Sequence, residues 1–248
     1  VKSTQRVRDL GEVFTPANIV DEMLNLLPEE MWQVHPSKTF LEPAVGTGNF
    51  VSAILSRKLT AIDGVMAKGL LPAGVTPQAA EFHALEALSS IYGIDISEDN
   101  IIGGTEGHEI ACRPRLLKVM KRWHEKYLGE TSSTSADFLE AAQWIAEHNM
   151  IIGNMLEFDA DGQRVDRQLI QLIDYDWQPG SLSVDLVITN MSDVIEVEQE
   201  QSSGFATLFG PEAPKHHWSG PYGQIAEASS VAVTTLSGEL ASNGRQRK

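Results

Sequence analysis

"FLEPAVGTGNFV", residues Phe40 to Val51, is the stretch on which the fold turns. It begins as a short β-type run in "KTFLEPA", bends at Glu42 and Pro43, and reaches Gly46 and Gly48 just before a helical stretch from Phe50 to about Leu59. A strand ending in an acidic residue and proline, then glycines, then a helix, brings backbone close to a nucleotide-like ligand at the carboxyl ends of the strands of an α/β protein. The glycines permit the close approach. Taken alone, the pair fits a tight strand-to-helix turn without a ligand equally well.

Downstream, "YGIDIS" ends a β run at Asp95, where a carboxylate can accept hydrogen bonds from ribose hydroxyls. The same aspartate also fits a cap for the next helix. A dinucleotide-binding fingerprint would need a third glycine at fixed spacing, and this loop lacks it. Two further β runs, "MIIGNMLEF" and "SVDLVITN", follow. Helical spacing is visible in Ile19, Val20, Met23, Leu24 and Leu27, and again in Phe82, Leu85 and Leu88. "SADFLEAAQWIAEHN" is a further helix with Ser135 as its cap, whereas "TAIDGVMAKGLLPAGVTP" reads as a loop or short helix. Strands separated by helices predict an α/β, Rossmann-like fold: a mostly parallel sheet with helices on both faces.

The domain spans residues 1–190, and residues 191–248 form a divergent tail rich in Ser, Gly, Gln, Pro and Glu, expected to be partly disordered. In that tail only "SVAVTTL" offers a strand-like run. "GPYG", Gly220 to Gly223, follows no predicted strand and reads as a turn.

A chain of 248 residues has room for one large domain, and its mean hydropathy of -0.16, with no apolar run long enough to span a bilayer, argues against a membrane role. Residues Val1 to Leu10 lack the apolar segment of a secretory signal, so a cytoplasmic location is expected. The single cysteine, Cys112, excludes an internal disulfide and a multi-cysteine zinc site. A formal charge of -15 works against a broad phosphate-binding surface. Arg113, Arg115, Lys118, Lys121, Arg122 and Lys126 are a local exception, and they also fit a solvated helix face. His216 and His217 are adjacent but lack a third ligand at metal spacing, so no metal site is expected.

Taken in order, "GEVFTPANIVDEML", "FLEPAVGTGNFV", "YGIDIS", "IIGNMLEFD" and "DLVITN" resemble the S-adenosylmethionine-dependent, adenine-specific DNA methyltransferases of restriction-modification systems, in the arrangement where the "FTP" element comes first. The likeness covers Gly11 to Asn190. It implies that Phe14, Thr15 and Pro16 cover the methionine end of S-adenosylmethionine, and that Glu42, Pro43, Ala44, Gly46 and Gly48 form the cofactor loop. It further implies that Asp95 holds the ribose with Ile96 against the adenine ring, and that Asn154 and Met155 lie beside that adenine. Taken one at a time, Asn154 also fits a turn, and Phe14 and Ile96 also fit a core. Double-stranded DNA is the implied substrate, with target recognition supplied by a separate domain or subunit.

In that family the fourth strand delivers an Asn or Asp, two prolines and an aromatic residue. A side-chain oxygen and the next carbonyl accept the amine hydrogens of a flipped adenine, and the aromatic ring stacks on the base. Here Asn190 holds the first position, but Met191, Ser192 and Asp193 stand where the two prolines and the ring belong. Cofactor binding with impaired transfer is therefore expected. Two other functions fit the sequence: a non-catalytic methyltransferase-like binding or assembly subunit, and a methyltransferase acting on a small molecule or protein.

Overall fold

The computed structural model describes residues 15–67, 76–104, 111–128, 135–155, 170–190 and 216–228. Three parallel strands, β1 (Phe40–Glu42), β2 (Ile91–Asp95) and β3 (Met150–Ile152), form one sheet in the order β1-β2-β3. Parallel neighbours need long crossovers, and each crossover carries helices. Between β1 and β2 run α2 (Asn49–Ala67) and α3 (Pro77–Ser89); between β2 and β3 run α4 (Glu98–Ile101), α5 (Cys112–Leu128) and α6 (Ser135–Asn149). A short α1 (Ala17–Leu24) precedes the sheet. The α/β class expected from the sequence is thus present.

Local chemistry explains the helix limits. Thr76 accepts a hydrogen bond from the Ala79 amide and Pro77 occupies the first turn, so α3 starts where its exposed amide groups are satisfied. Phe82, Leu85 and Leu88 are fully buried, as their spacing predicts. Helix α2 runs beyond the expected end near Leu59 to Ala67, because Leu55, Leu59 and Ile62 continue one buried stripe. Lys58, on the same helix, is buried as well. Its Nζ donates to the Lys38 carbonyl at 2.6 Å and lies 5.2 Å from the centre of the Phe40 ring. Burial lowers its ammonium to about 8, against the opposing pull of Glu86.

The second half departs from expectation. "SVDLVITN" does form a strand, β5 (Ser183–Asn190), but it pairs antiparallel with β4 (Gln171–Gln178) on one side and β6 (His216–Pro221) on the other. Strand β4 was not anticipated, although Ile173, Tyr175 and Trp177 alternate with Asp174, Asp176 and Gln178 at period two. A turn over residues 179–182 joins β4 to β5, and so short a connection permits only an antiparallel pair. Nor does "GPYG" stand clear of a strand: Gly220 and Pro221 end β6, and Tyr222–Glu227 continue as a 3-10 helix. "SVAVTTL" lies outside the described residues.

Helices on both faces are not what covers the parallel sheet. Pleating sends Ile91, Gly93 and Asp95 of β2 to one side and Tyr92 and Ile94 to the other. The first side belongs to the main core, with Leu55 of α2, Leu88 of α3 and Ile145 of α6. On the second, Ile94 is sealed by Ile170 and Leu172, with Tyr92, Ile151 and Met155 around them, and among the described residues no helical one joins that cluster. The antiparallel sheet continues the seal toward the N-terminal ends of the parallel strands. Tyr92 donates to the Ile173 carbonyl, Tyr175 donates to Asn149 Oδ1 at 2.8 Å, and Trp177 Nε1 donates to Ser89 Oγ at 2.8 Å. The alternation of β4 thus competes successfully for a face that a helix was expected to take.

Residues 216–228 also belong to this core. Tyr222, Ile225 and Ala228 are buried in it, and the Tyr222 hydroxyl donates to Glu81 Oε2 at 2.8 Å. Among the described residues no helix is long and apolar enough to cross a membrane.

Candidate functional site

Gly46 and Gly48 both adopt positive φ, 55° and 83°, which only glycine enters at little cost. Their demands differ. A Cβ on Gly46 would meet nothing within 4 Å, whereas one on Gly48 would lie 2.7 Å from Cys112 Sγ. Gly48 therefore lets α5 approach the turn, while Gly46 lets the turn itself fold back. The Val45 amide donates to the Ile94 carbonyl at 3.0 Å and ties the turn to the end of β2.

Asp95 completes this tie. Its Oδ2 accepts from the Gly46 amide at 2.8 Å, and its Oδ1 accepts from the Ser97 amide at 2.8 Å and Asn100 Nδ2 at 3.1 Å. A carboxylate offers about four acceptor positions, so three donors leave room for one more, on the side of Oδ2. The carboxylate is thus a latch between the glycine turn and the start of α4; it is not the cap of that helix, whose N-cap position is Ser97, because it bonds the Ser97 amide and the Asn100 side chain and no amide within the helix. The Asp95 carbonyl accepts from the Gly153 amide at 2.9 Å, which brings the end of β3 to the same place.

Glu42, Pro43, Ala44, Gly46, Gly48, Asp95, Ile96 and Asn154 are thereby gathered at the carboxyl ends of three adjacent parallel strands. Glu42 Oε1 accepts from the Ala44 amide at 3.2 Å and holds the bend after β1. Ile96 is 64% exposed, an isoleucine beside the latch with most of its surface in water. Met155 packs against the cluster around Ile94, where burial on the protein's own core accounts for it without a ligand.

Thr15 is drawn to the same end by a residue that pattern reading missed. Asn49, the first residue of α2, donates through Nδ2 to the Thr15 carbonyl at 3.0 Å and accepts from Arg115 at Oδ1. Asn after a Gly-Thr-Gly turn carries no distinctive signal, and only the meeting of three remote segments reveals its place. Pro16 accepts from the Ile19 and Val20 amides and so starts α1. Phe14 lies outside the described residues. Arg113 is also engaged, donating to the carbonyls of Met150 and Glu147 at the end of α6. The basic run on α5 is therefore in part structural.

Burial pushes the Cys112 thiol up to about 12, with Arg115 and Arg113 opposing and Asp95 adding to the rise, which disfavours the thiolate. Asn190 closes β5 opposite Gln171, in the antiparallel sheet and not beside β1. Among the described residues β1 has β2 as its one strand neighbour, and Leu41 is 47% exposed. No protein-family model, curated protein or solved structure matches the chain.

Proposed function

We propose that the chain is the cofactor-binding domain of an S-adenosylmethionine-dependent methyltransferase of the adenine-specific DNA type, Rossmann-like in its parallel half and impaired in catalysis. The observation that carries this reading is the Asp95 latch on Gly46, at the carboxyl ends of the parallel strands, with one acceptor position on Asp95 unused. A ribose hydroxyl fits that position. Ile96 offers its exposed side chain to a purine face, and Asn154 at the end of β3 supplies donors and acceptors for its edge. Thr15, held by Asn49, closes the methionine end.

Methyl transfer needs more than this half. In doubly wound sheets the ligand crevice opens where the strand order reverses, on the far side of the first strand. That neighbour of β1 is not among the described strands, and β5 with Asn190 is committed to a hairpin. Met191, Ser192 and Asp193 also lack the prolines and ring that would grip a flipped adenine. The same facts favour a second reading: a methyltransferase-like subunit that binds cofactor or assembles with a partner and does not transfer methyl. Double-stranded DNA and a separate target-recognition subunit are the partners of the first reading.

Calorimetric titration of the full chain with S-adenosylmethionine tests both. Micromolar binding is expected, lost in Asp95→Ala and weakened at least about tenfold in Ile96→Asp. The second variant matters because Asp95 also holds the turn, whereas Ile96 is exposed enough to change without unfolding the protein. Folded protein that ignores the cofactor, or binds it equally well in both variants, refutes the proposal. Transfer of labelled methyl to duplex DNA at an ordinary enzyme's rate would refute the impaired catalysis alone.

A further inference from the structure

We propose that His35, His83 and Glu86 form a binding site for a first-row divalent cation of the zinc class, at the end of the parallel sheet opposite the glycine turn. His35 lies in the segment before β1, and His83 and Glu86 lie in the last two turns of α3, just before β2. His35 Nδ1 is 2.6 Å from Glu86 Oε1 and His83 Nδ1 is 3.1 Å from Glu86 Oε2. One ligand atom from each residue falls within 4.8 Å of the others. Ligands of a tetrahedral ion with bonds of roughly 2.1 Å stand about 3.4 Å apart, so small adjustments admit the ion.

The three side chains are held from behind. His83 and Glu86, three residues apart on a helix, share one face. Phe82 meets the His83 ring edge-on at 5.4 Å, and the Ser37 amide donates to Glu86 Oε1 at 3.1 Å. Such outer contacts fix ligand orientation. Exposure falls from 36% for His35 through 12% for His83 to 4% for Glu86, which gives an ion a path inward from solvent. Beside His35 and Glu86 opens a cavity of about 100 Å³ that Asp174 and Asp176 also line. Three protein ligands leave the fourth position of the ion to water on that side. Lys58 is the positive group facing Glu86, while Asp174 and Asp176 place negative charge along the cavity.

The donor set chooses the metal. Two imidazoles and one carboxylate suit zinc and its neighbours, while calcium and magnesium prefer oxygen cages and copper(I) prefers sulfur. The two imidazole Nδ1 atoms both face the Glu86 carboxylate. To bind the ion through Nδ1, each ring must present that nitrogen unprotonated and carry a proton at Nε2. Neither imidazole is near the other site, and this inference stands whether or not the chain binds S-adenosylmethionine.

Full-length protein stripped with a chelator is titrated with zinc chloride in a calorimeter and with cobalt(II) under visible absorption. One equivalent of zinc is expected to bind, with d–d bands of low-coordinate cobalt, and affinity should fall at least about tenfold in Glu86→Gln and in His83→Gln. The double variant His216→Ala, His217→Ala should bind as the wild type does. Circular dichroism establishes that each variant is folded. Should Glu86→Gln or His83→Gln not fold, the more exposed His35→Asn decides by the same tenfold loss. Absence of binding, affinity unchanged in the folded cluster variants, or loss of the ion in the His216 and His217 variant overturns the proposal.

Discussion

Two glycines two residues apart in one turn should respond very differently to alanine. Gly46 sits at φ 55° with nothing within 4 Å of an added Cβ, so Gly46→Ala costs the left-handed backbone penalty alone, roughly 1–2 kcal/mol. Gly48 carries the same kind of penalty at φ 83°, and its added Cβ would also stand 2.7 Å from Cys112 Sγ, 3.2 Å from its Cα and 3.3 Å from its Cβ. Cys112 is fully buried at the start of α5 and cannot swing aside. Overpacking of that kind adds about 1–3 kcal/mol, which brings Gly48→Ala to roughly 2–5 kcal/mol. Urea denaturation followed by far-ultraviolet circular dichroism reads the difference as a shift in midpoint at constant slope. Combining Gly48→Ala with Cys112→Ala removes the sulfur contact but not the two carbon contacts, so a favourable coupling of about 0.5–2 kcal/mol is expected. Equal losses for the two glycines, or a double variant that is merely additive, would show that Gly48 does not set the approach of α5 to the turn.

At high pH the buried tyrosines should limit stability. Burial raises the Tyr92, Tyr175 and Tyr222 hydroxyls above their usual value, so the folded chain keeps protons that the unfolded chain releases near 10. Stability therefore falls as pH climbs past about 10. Absorbance at the phenolate band should show these three of the four tyrosines ionising only together with unfolding, and early titration of Tyr222 would contradict its buried bond to Glu81. Tyr222→Phe removes one of the donors to Glu81, which His124 Nε2 also meets at 2.7 Å, and should cost about 1–3 kcal/mol in the same denaturation assay. An unchanged midpoint would mean that the bond from the Tyr222 hydroxyl to Glu81 adds nothing to stability. Replacing Met191, Ser192 and Asp193 with Pro, Pro and Tyr should leave methyl transfer to DNA absent, and recovered transfer would show that the loop residues were the sole defect.

The parallel half was legible because its signals are local and agree with one another. "FLEP" and "YGID" are short apolar runs ended by an acid, the glycines sit at the turn they permit, and Phe82, Leu85 and Leu88 mark a helix face that is indeed buried. The antiparallel half was misread because "SVDLVITN" carries no mark of its partner. "LIDYDWQ" does alternate, yet its two acids and glutamine break up any apolar run, and "HHWSGP" has no β-branched residue to make it stand out. Asn49 and Arg115 escaped for a different reason: their role is a three-way meeting of Thr15, α2 and α5, which no spacing encodes. His35 and Glu86 likewise lie 51 positions apart. By contrast, His83 and Glu86 are three apart on a recognisable helix, a signal available to any reader who looked for ligands on helix faces.

The hairpin also decides what Asn190 can do. Because the turn over 179–182 is too short for a crossover, β5 must run back along β4 and end opposite Gln171. Just before Gln171, Ile170 lies close enough to Gly153 that a Cβ there would be 3.0 Å from it, and Ile94 would be 3.6 Å away. Asn190 is therefore delivered toward the carboxyl ends of the strands, the end where Asp95 latches the glycine turn. It arrives by way of β3, however, and not along the outer edge of β1 where a doubly wound sheet opens its crevice. The backbone topology thus keeps Asn190 away from the outer edge of β1, whatever residues follow it.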